Sequence, residues 1–141
     1  MAKFRHISRV VAFQALFSIT HNFKADQEDI FKYICFELAP SLKDQAFAKE
    51  LFFGVLKNRK ILDERLQKIA PRWPINKLSL VERCVLEIGA FEMIFKLETP
   101  TAVILNEAIE IAKEFGDGTA GKFINGVLSS LGKENRNDLK K

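Results

Sequence analysis

Apolar residues recur every three or four positions along almost the whole chain, a period that suits an amphipathic α-helix burying one face. The recurrence runs through Ile7, Val10, Val11, Phe13, Leu16 and Phe17, then Ile30, Phe31, Ile34 and Leu38, then Phe47, Leu51, Val55, Ile61, Leu62, Leu66 and Ile69. It resumes at Val85, Leu86, Ile88, Phe91 and Met93, at Val103, Ile104, Ala108, Ile111, Ala112 and Phe115, and at Phe123, Ile124, Val127, Leu128 and Leu131. No run of β-branched residues alternates with polar ones over a strand's length, and no segment repeats with a solenoid period. The expected fold is all-α, two helical sub-bundles sharing one core.

Polar punctuation predicts where the helices begin and end. Asp26 is placed to cap a second helix with Asp29 at its third position, and Pro40 stops it. Ser41 and Asp44 have capping-box spacing before a long third stretch, with a break expected near Asn58. Ser79 and Glu82 form a full S-x-x-E box. Pro100 suits the first turn of the next helix, Gly116 its left-handed C-terminal cap, and Asp117-Gly118 a turn. Thr119 is expected to cap the last helix and Gly132 to end it. The proline pair Pro71 and Pro74 around Trp73 is the expected boundary between sub-bundles at 1–74 and 75–132, with a frayed polar tail at 133–141. Gly54, Gly89 and Gly126 lie inside helical patterns, where close helix approach would offset their cost.

The 141 residues fit one domain, and 48% hydrophobic content is enough for a real core. Thirteen Phe against one Trp and one Tyr favour a core of aromatic plates that need no buried hydrogen-bond partner. Cys35 and Cys84 lack C-x-x-C spacing and read as reduced thiols of a cytoplasmic protein. Arg9, Gln14 and His21 interrupt every apolar run that could serve as a signal sequence, and no segment approaches the roughly 18 apolar residues of a membrane span.

The net charge of +4 is unevenly placed. Residues 1–25 contain Lys3, Arg5, Arg9 and Lys24 and no acid. Arg5 and Arg9, four apart, share a helix face, and both are expected to be exposed. From Leu86 to Asp117 the balance reverses, with Glu87, Glu92, Glu98, Glu107, Glu110, Glu114 and Asp117 opposed only by Lys96 and Lys113. One end suits a polyanion and the other a basic partner. The chain has no Gly-rich phosphate loop, no nucleophile elbow and no His/Cys cluster with metal spacing. Glu107 and Glu110 share E-x-x-E spacing, but solvated acids pairing with Lys113 explain them better than a metal. No catalytic residue, metal or cofactor is expected.

Four segments carry a recognisable pattern. They are Arg5 to Phe17, Leu51-Phe52-Phe53-Gly54-Val55, Leu80 to Glu92, and the pair Asn106 to Gly116 with Lys122-Phe123-Ile124-Asn125-Gly126-Val127-Leu128. The last reads N-E-A-I-E-I-A-K-E-F-G followed by K-F-I-N-G-V-L, and with the others it resembles the NusB family of transcription antitermination factors. The resemblance implies a single NusB-like domain over residues 1–141. It also implies binding to boxA-type single-stranded RNA of ribosomal RNA transcripts, together with the small-subunit ribosomal protein NusE, within an RNA polymerase antitermination complex.

On the family pattern the RNA surface comprises Lys3, Arg5, His6 and Arg9 in the first helix and Lys122 and Phe123 at the start of the last. Phe123 is either an exposed stacking face or a core aromatic. The NusE surface comprises Phe17, Glu82 and Thr119. The chain departs from the pattern at Ile7 and Ser8, where many relatives carry further Arg or Ala. His6 adds charge only when protonated.

Two other functions fit in part. An accessory domain of an RNA cytosine methyltransferase would need a nucleotide-binding βαβ unit, for which the residues after Leu131 are too few. A protein-only adaptor would account for the thinned Arg cluster. Self-association occurs in the family, which leaves monomer and homodimer both open.

Overall fold

The apolar period becomes six α-helices in the computed structural model, which describes residues 2–42, 45–116 and 118–136. They are α1 (Ala2–His21), α2 (Gln27–Leu38), α3 (Ala46–Ile69), α4 (Leu80–Phe95), α5 (Thr101–Phe115) and α6 (Gly121–Asn135), with a 3₁₀ turn at Ile75–Lys77. No strand occurs among the described residues, in keeping with an all-α class. The expected caps at α2 and α4 form. Asp26 Oδ1 accepts the Asp29 N–H at 3.0 Å. Ser79 Oγ accepts the Glu82 N–H at 3.1 Å, while the Ser79 N–H donates to Glu82 Oε1 at 3.2 Å.

Other boundaries shift. α3 runs through Asn58 without a break. Of the Ser41 box, Lys43 and Asp44 lie outside the described residues, as does Asp117. Pro100 is the N-cap of α5, and Ala120 rather than Thr119 occupies that position at α6, with no side-chain cap bond. Gly116 is extended, with φ −107°, and the positive φ falls at Gly118. Glycine suits position 116 for another reason: a Cβ there would lie 2.8 Å from the Ala112 carbonyl oxygen. α6 passes through Gly132 to Asn135, so the expected end at Gly132 is corrected.

The chain divides into two compact units inside α3, at Lys57/Asn58, and not at the proline pair. The first holds an aromatic core in which Phe31 lies 5.7 Å from Phe52 and Phe52 4.8 Å from Phe53, centroid to centroid. The second is tied together by buried polar groups, because the far half of α3 bonds to α4 and α6. Arg59 grips the wholly buried Glu87 with both arms, Nε to Oε2 at 2.9 Å and Nη2 to Oε1 at 2.7 Å. Arg83 donates to Glu87 Oε2 at 3.2 Å and to Asp63 Oδ2 at 3.1 Å. Arg65 reaches Asn135 at 2.9 Å. α4 and α6 touch at Gly89, where a Cβ would come within 2.6 Å of Leu128 Cδ1. At Gly126 no atom lies within 4 Å of such a Cβ, so the close-approach expectation holds at one of these two glycines only.

The tail expected to fray begins with structure. Arg136 is buried, and its guanidinium donates to the carbonyls of Met93, Thr99, Glu92 and Lys96 and to Thr101 Oγ1, at 2.6–3.2 Å. It supplies the donor for the Met93 and Thr99 carbonyls and adds a second bond to those of Glu92 and Lys96, which already accept the N–H groups of Lys96 and Thr99. Glu87 and Glu92 are likewise buried, so the acidic stretch presents fewer charges than its composition suggests.

Burial would raise the Glu87 carboxyl, but hydrogen bonds from Arg59 and Asp63 and the nearby guanidinium charges hold it below its ordinary value. Asp63 is pushed up to about 7 by burial and then by Glu87, with Arg83 opposing. Its Oδ1 is buried and has no hydrogen-bond partner, and an interaction between the two carboxyls favours the protonated form of Asp63.

A carboxyl whose folded value lies above its unfolded value stabilises the fold fully at low pH and loses that contribution as pH rises to the folded value. Asp63 should therefore lower stability progressively between about pH 4 and pH 7. Asp63→Asn, which is neutral at every pH and keeps both an acceptor and a donor, should gain stability over wild type at pH 8 and little at pH 4. Urea midpoints of the two proteins across that range test this, and parallel profiles would refute it. Arg136→Ala should cost about 3 kcal/mol because it leaves the Met93 and Thr99 carbonyls without their donor. Arg136→Lys should recover only part, since one ammonium cannot span the same acceptors. Urea denaturation checks both.

Candidate nucleic-acid interface

The loop after α3 is built to hold a tryptophan in the open. Pro71 and Pro74 prevent helix on either side, and the Trp73 N–H closes a turn onto the Ala70 carbonyl at 3.0 Å. Gln67, still on α3, pins that loop. Its Nε2 donates to the carbonyls of Ala70 at 3.0 Å and Trp73 at 3.3 Å, and its Oε1 accepts the Ile75 N–H at 2.9 Å. Trp73 remains 56% exposed.

Phe123, in the first turn of α6, meets Trp73 edge to face with centroids 5.8 Å apart. Between the loop and α6 runs a groove of about 370 Å³, lined by the two rings, by Arg72 and Lys122, and further along by Gly126 and Ser130. Arg72 and Lys122 are exposed cations, whereas Phe123 is half-buried, between the two readings left open for it. The N-cap residue of α6, Ala120, makes no side-chain cap bond, and the positive N-terminal end of the helix adds to the attraction for an anion. Apolar ring faces beside phosphate-binding charges suit an unpaired nucleotide.

The basic turn of α1 lies in the first unit. Arg5 is exposed, and its guanidinium carbon sits 4.0 Å from the centroid of the Phe47 ring. Arg9 lies 5.2 Å from the same centroid but is only 3% exposed, correcting the expectation of an open cation. Its helical phase explains this, since Arg9 shares a face with Phe13 and Leu16, both buried. His6 is half-buried, and the Lys3 side chain lies outside the described residues.

Of the residues assigned to a protein partner, Phe17 is half-buried in α1, its ring stacked 6.5 Å from His21. Glu82 is half-buried and Thr119 exposed. Val81 lies 3.5 Å from where a Gly116 Cβ would be, so the loop bearing Thr119 leaves beside the first turn of α4, which bears Glu82. Trp73, Arg72 and Gln67 were not singled out as site residues from sequence. The available signal was a lone Trp between two prolines, a bulky ring on a segment that cannot form helix.

Among the described residues no group of three or more His, Cys, Asp or Glu is placed to hold a metal ion, and no helix is long and apolar enough to cross a membrane. Both cysteines are buried thiols that form no disulfide.

Comparison with known proteins agrees with the motifs. The NusB family pattern matches residues 6–133. The transcription antitermination protein NusB of Bacillus licheniformis is 38% identical over 128 residues, covering 90% of this chain and 95% of that protein. Its namesake in Dehalococcoides mccartyi is 35% identical over 136 residues, covering 94% and 92%. In structure, Thermotoga maritima NusB superposes with a TM-score of 0.84 at 33% identity, covering 93% of this chain and 92% of that one. A chain from the crystal structure of antitermination factors NusB and NusE with double-stranded RNA does so with 0.84 at 27% identity, covering 95% and 99%. By sequence motif, by helical architecture and by these matches, the chain belongs to the NusB family.

Proposed function

We propose that this protein is a transcription antitermination factor that binds boxA-type single-stranded RNA of ribosomal RNA transcripts jointly with NusE, as part of an RNA polymerase antitermination complex in the cytoplasm. It works as an adaptor and catalyses nothing. The observation that carries this reading is the groove in which Trp73 and Phe123 stand beside Arg72 and Lys122. A solved relative holding NusB, NusE and RNA together supports it. That relative's RNA is double-stranded; here the open ring edges favour unpaired bases, whose faces a duplex would hide. Arg5 supplies phosphate attraction from α1, and contacts to NusE are assigned to Phe17 in the first unit and to Glu82 and Thr119 in the second. Burial of Arg9 favours the competing reading, a protein-only adaptor, and salt dependence separates the two.

Under the RNA reading, Arg5→Ala should flatten the log–log dependence of RNA affinity on salt by about 0.7 for each phosphate no longer neutralised. Its cost in stability should be below about 1 kcal/mol, the scale of an exposed cation–π interaction. Arg9→Ala, removing a buried side chain, should instead lower the denaturation midpoint. Salt titrations against one RNA decide it, and failure of wild type to bind that RNA even at low salt would establish the protein-only adaptor.

Trp73→Ala should weaken RNA binding by about 1–3 kcal/mol with the denaturation midpoint nearly unchanged. Phe123→Ala should lose both affinity and stability, because that ring is half-buried. Affinity measurements paired with urea curves check each.

NusE and RNA should each strengthen binding of the other, by about 1–3 kcal/mol and reciprocally. Glu82→Lys should repel a basic partner while RNA binding by the protein alone persists. Glu82→Gln preserves the capping-box geometry and removes only the charge, so a weaker NusE affinity with unchanged circular dichroism assigns the loss to the interface. Normal NusE binding by both variants would remove Glu82 from that surface.

A further inference from the structure

Gly126 is in the wrong place for an ordinary helical glycine. It lies mid-way along α6, where glycine weakens a helix relative to alanine. Its backbone does not require it, since among the described residues the positive φ belongs to Gly118 alone. Packing does not require it either, because an added Cβ would meet nothing within 4 Å, unlike Gly89 against Leu128. A third circumstance that calls for glycine is close approach of something from outside the chain to the backbone. The position supports that account, as Gly126 lies in the groove with Phe123 one turn before it, Ser130 one turn after it and Trp73 across from it.

We infer that Gly126 is a binding position, the bare strip of α6 against which one unpaired nucleobase of the RNA lies, stacked on Trp73 with the Ser130 hydroxyl at its edge. The inference rests on the RNA-binding reading above and adds which part of the RNA enters the groove. Arg72 and Lys122 then meet the phosphates on either side of that base. A side chain at position 126 would occupy the space the base needs without disturbing the fold.

Trp73 is the only tryptophan of the chain, so its emission reports on the groove directly. The test titrates the full chain with a boxA-type single-stranded RNA and with a series carrying one abasic nucleotide at each position in turn. The wild-type emission should be quenched on binding. One abasic position should lower affinity between about 5- and 150-fold, the range for one base–aromatic stack, and remove the quenching. Gly126→Ala should raise the thermal midpoint, as expected for alanine in an open helical position, yet lose affinity in the same range and no longer distinguish intact RNA from that abasic RNA. Gly126→Val should lose more affinity.

Wild-type affinity with full quenching in Gly126→Ala would overturn the inference. So would RNA binding by wild type with no abasic position mattering, and so would quenching by NusE alone, which would give the groove to protein. Those outcomes leave the RNA reading standing, whereas failure of wild type to bind the RNA at all would overturn both.

Discussion

Glu87 carries a charge with no access to water, and the second unit is arranged around that constraint. An isolated buried carboxylate would be driven to neutrality. Three neighbours prevent this: Arg59 and Asp63 from the far half of α3, and Arg83 from one turn earlier on α4. Such a cluster adds less to stability than its number of bonds suggests, because desolvation offsets much of the attraction. Its effect is to fix register, since a slip of α3 along α4 would separate the charges. The same α3 carries Gln67 into the proline loop, so the helix anchored by Glu87 also pins Trp73. Asp63, whose carboxyl is pushed up to about 7 by burial and by Glu87, makes the cluster sensitive to pH.

The opposite wall of the groove depends on α6, which is held by its buried apolar face and by polar bonds at its far end. Gly89 lets Leu128 settle against α4, and Arg136 binds the end of α4 and the start of α5 through its guanidinium. Phe123 and Lys122 project from the other end of that helix. Both aromatic rings of the candidate interface are therefore mounted on elements fixed by buried polar groups, which suits a site whose rings must keep their positions without a ligand. The exposed Trp73 is tolerable because its loop is held through backbone carbonyls rather than by burial of the ring.

The helices, two of the caps and the family motifs were legible in the sequence because each depends on neighbours within a few residues. Ser79 and Glu82 are three apart, and Asp26 and Asp29 likewise. Two misjudgements of charge were avoidable in principle. Arg9 belongs to the buried stripe with Phe13 and Leu16, and helical phase marks it as interior despite its charge. Glu87 and Glu92 lie in α4, which is buried on every side from Cys84 to Met93, so that any acid there had to be interior and partnered. Arg136 and the groove were not legible: the bonds of Arg136 reach residues 35 to 44 positions away, and Trp73 meets Phe123 only after the helices pack. The division at Lys57/Asn58 was hidden for a related reason, since α3 continues through it and only long-range partners distinguish its halves.

Burial of charges changes what drives recognition. With Arg9, Glu87 and Glu92 withdrawn from the surface, the fields that steer a polyanion and a basic partner are weaker than the composition implies. Steering sets how often partners meet, while interactions formed after docking set how long they stay. On the proposed function, affinity for RNA then falls chiefly to the aromatic groove, and partner affinity to the surface assigned to Glu82 and Thr119. Two modest surfaces on one adaptor become selective when both must be engaged, because linkage rewards the joint complex over either pair. An adaptor of this kind responds to RNA and protein presented together, which is the condition antitermination requires.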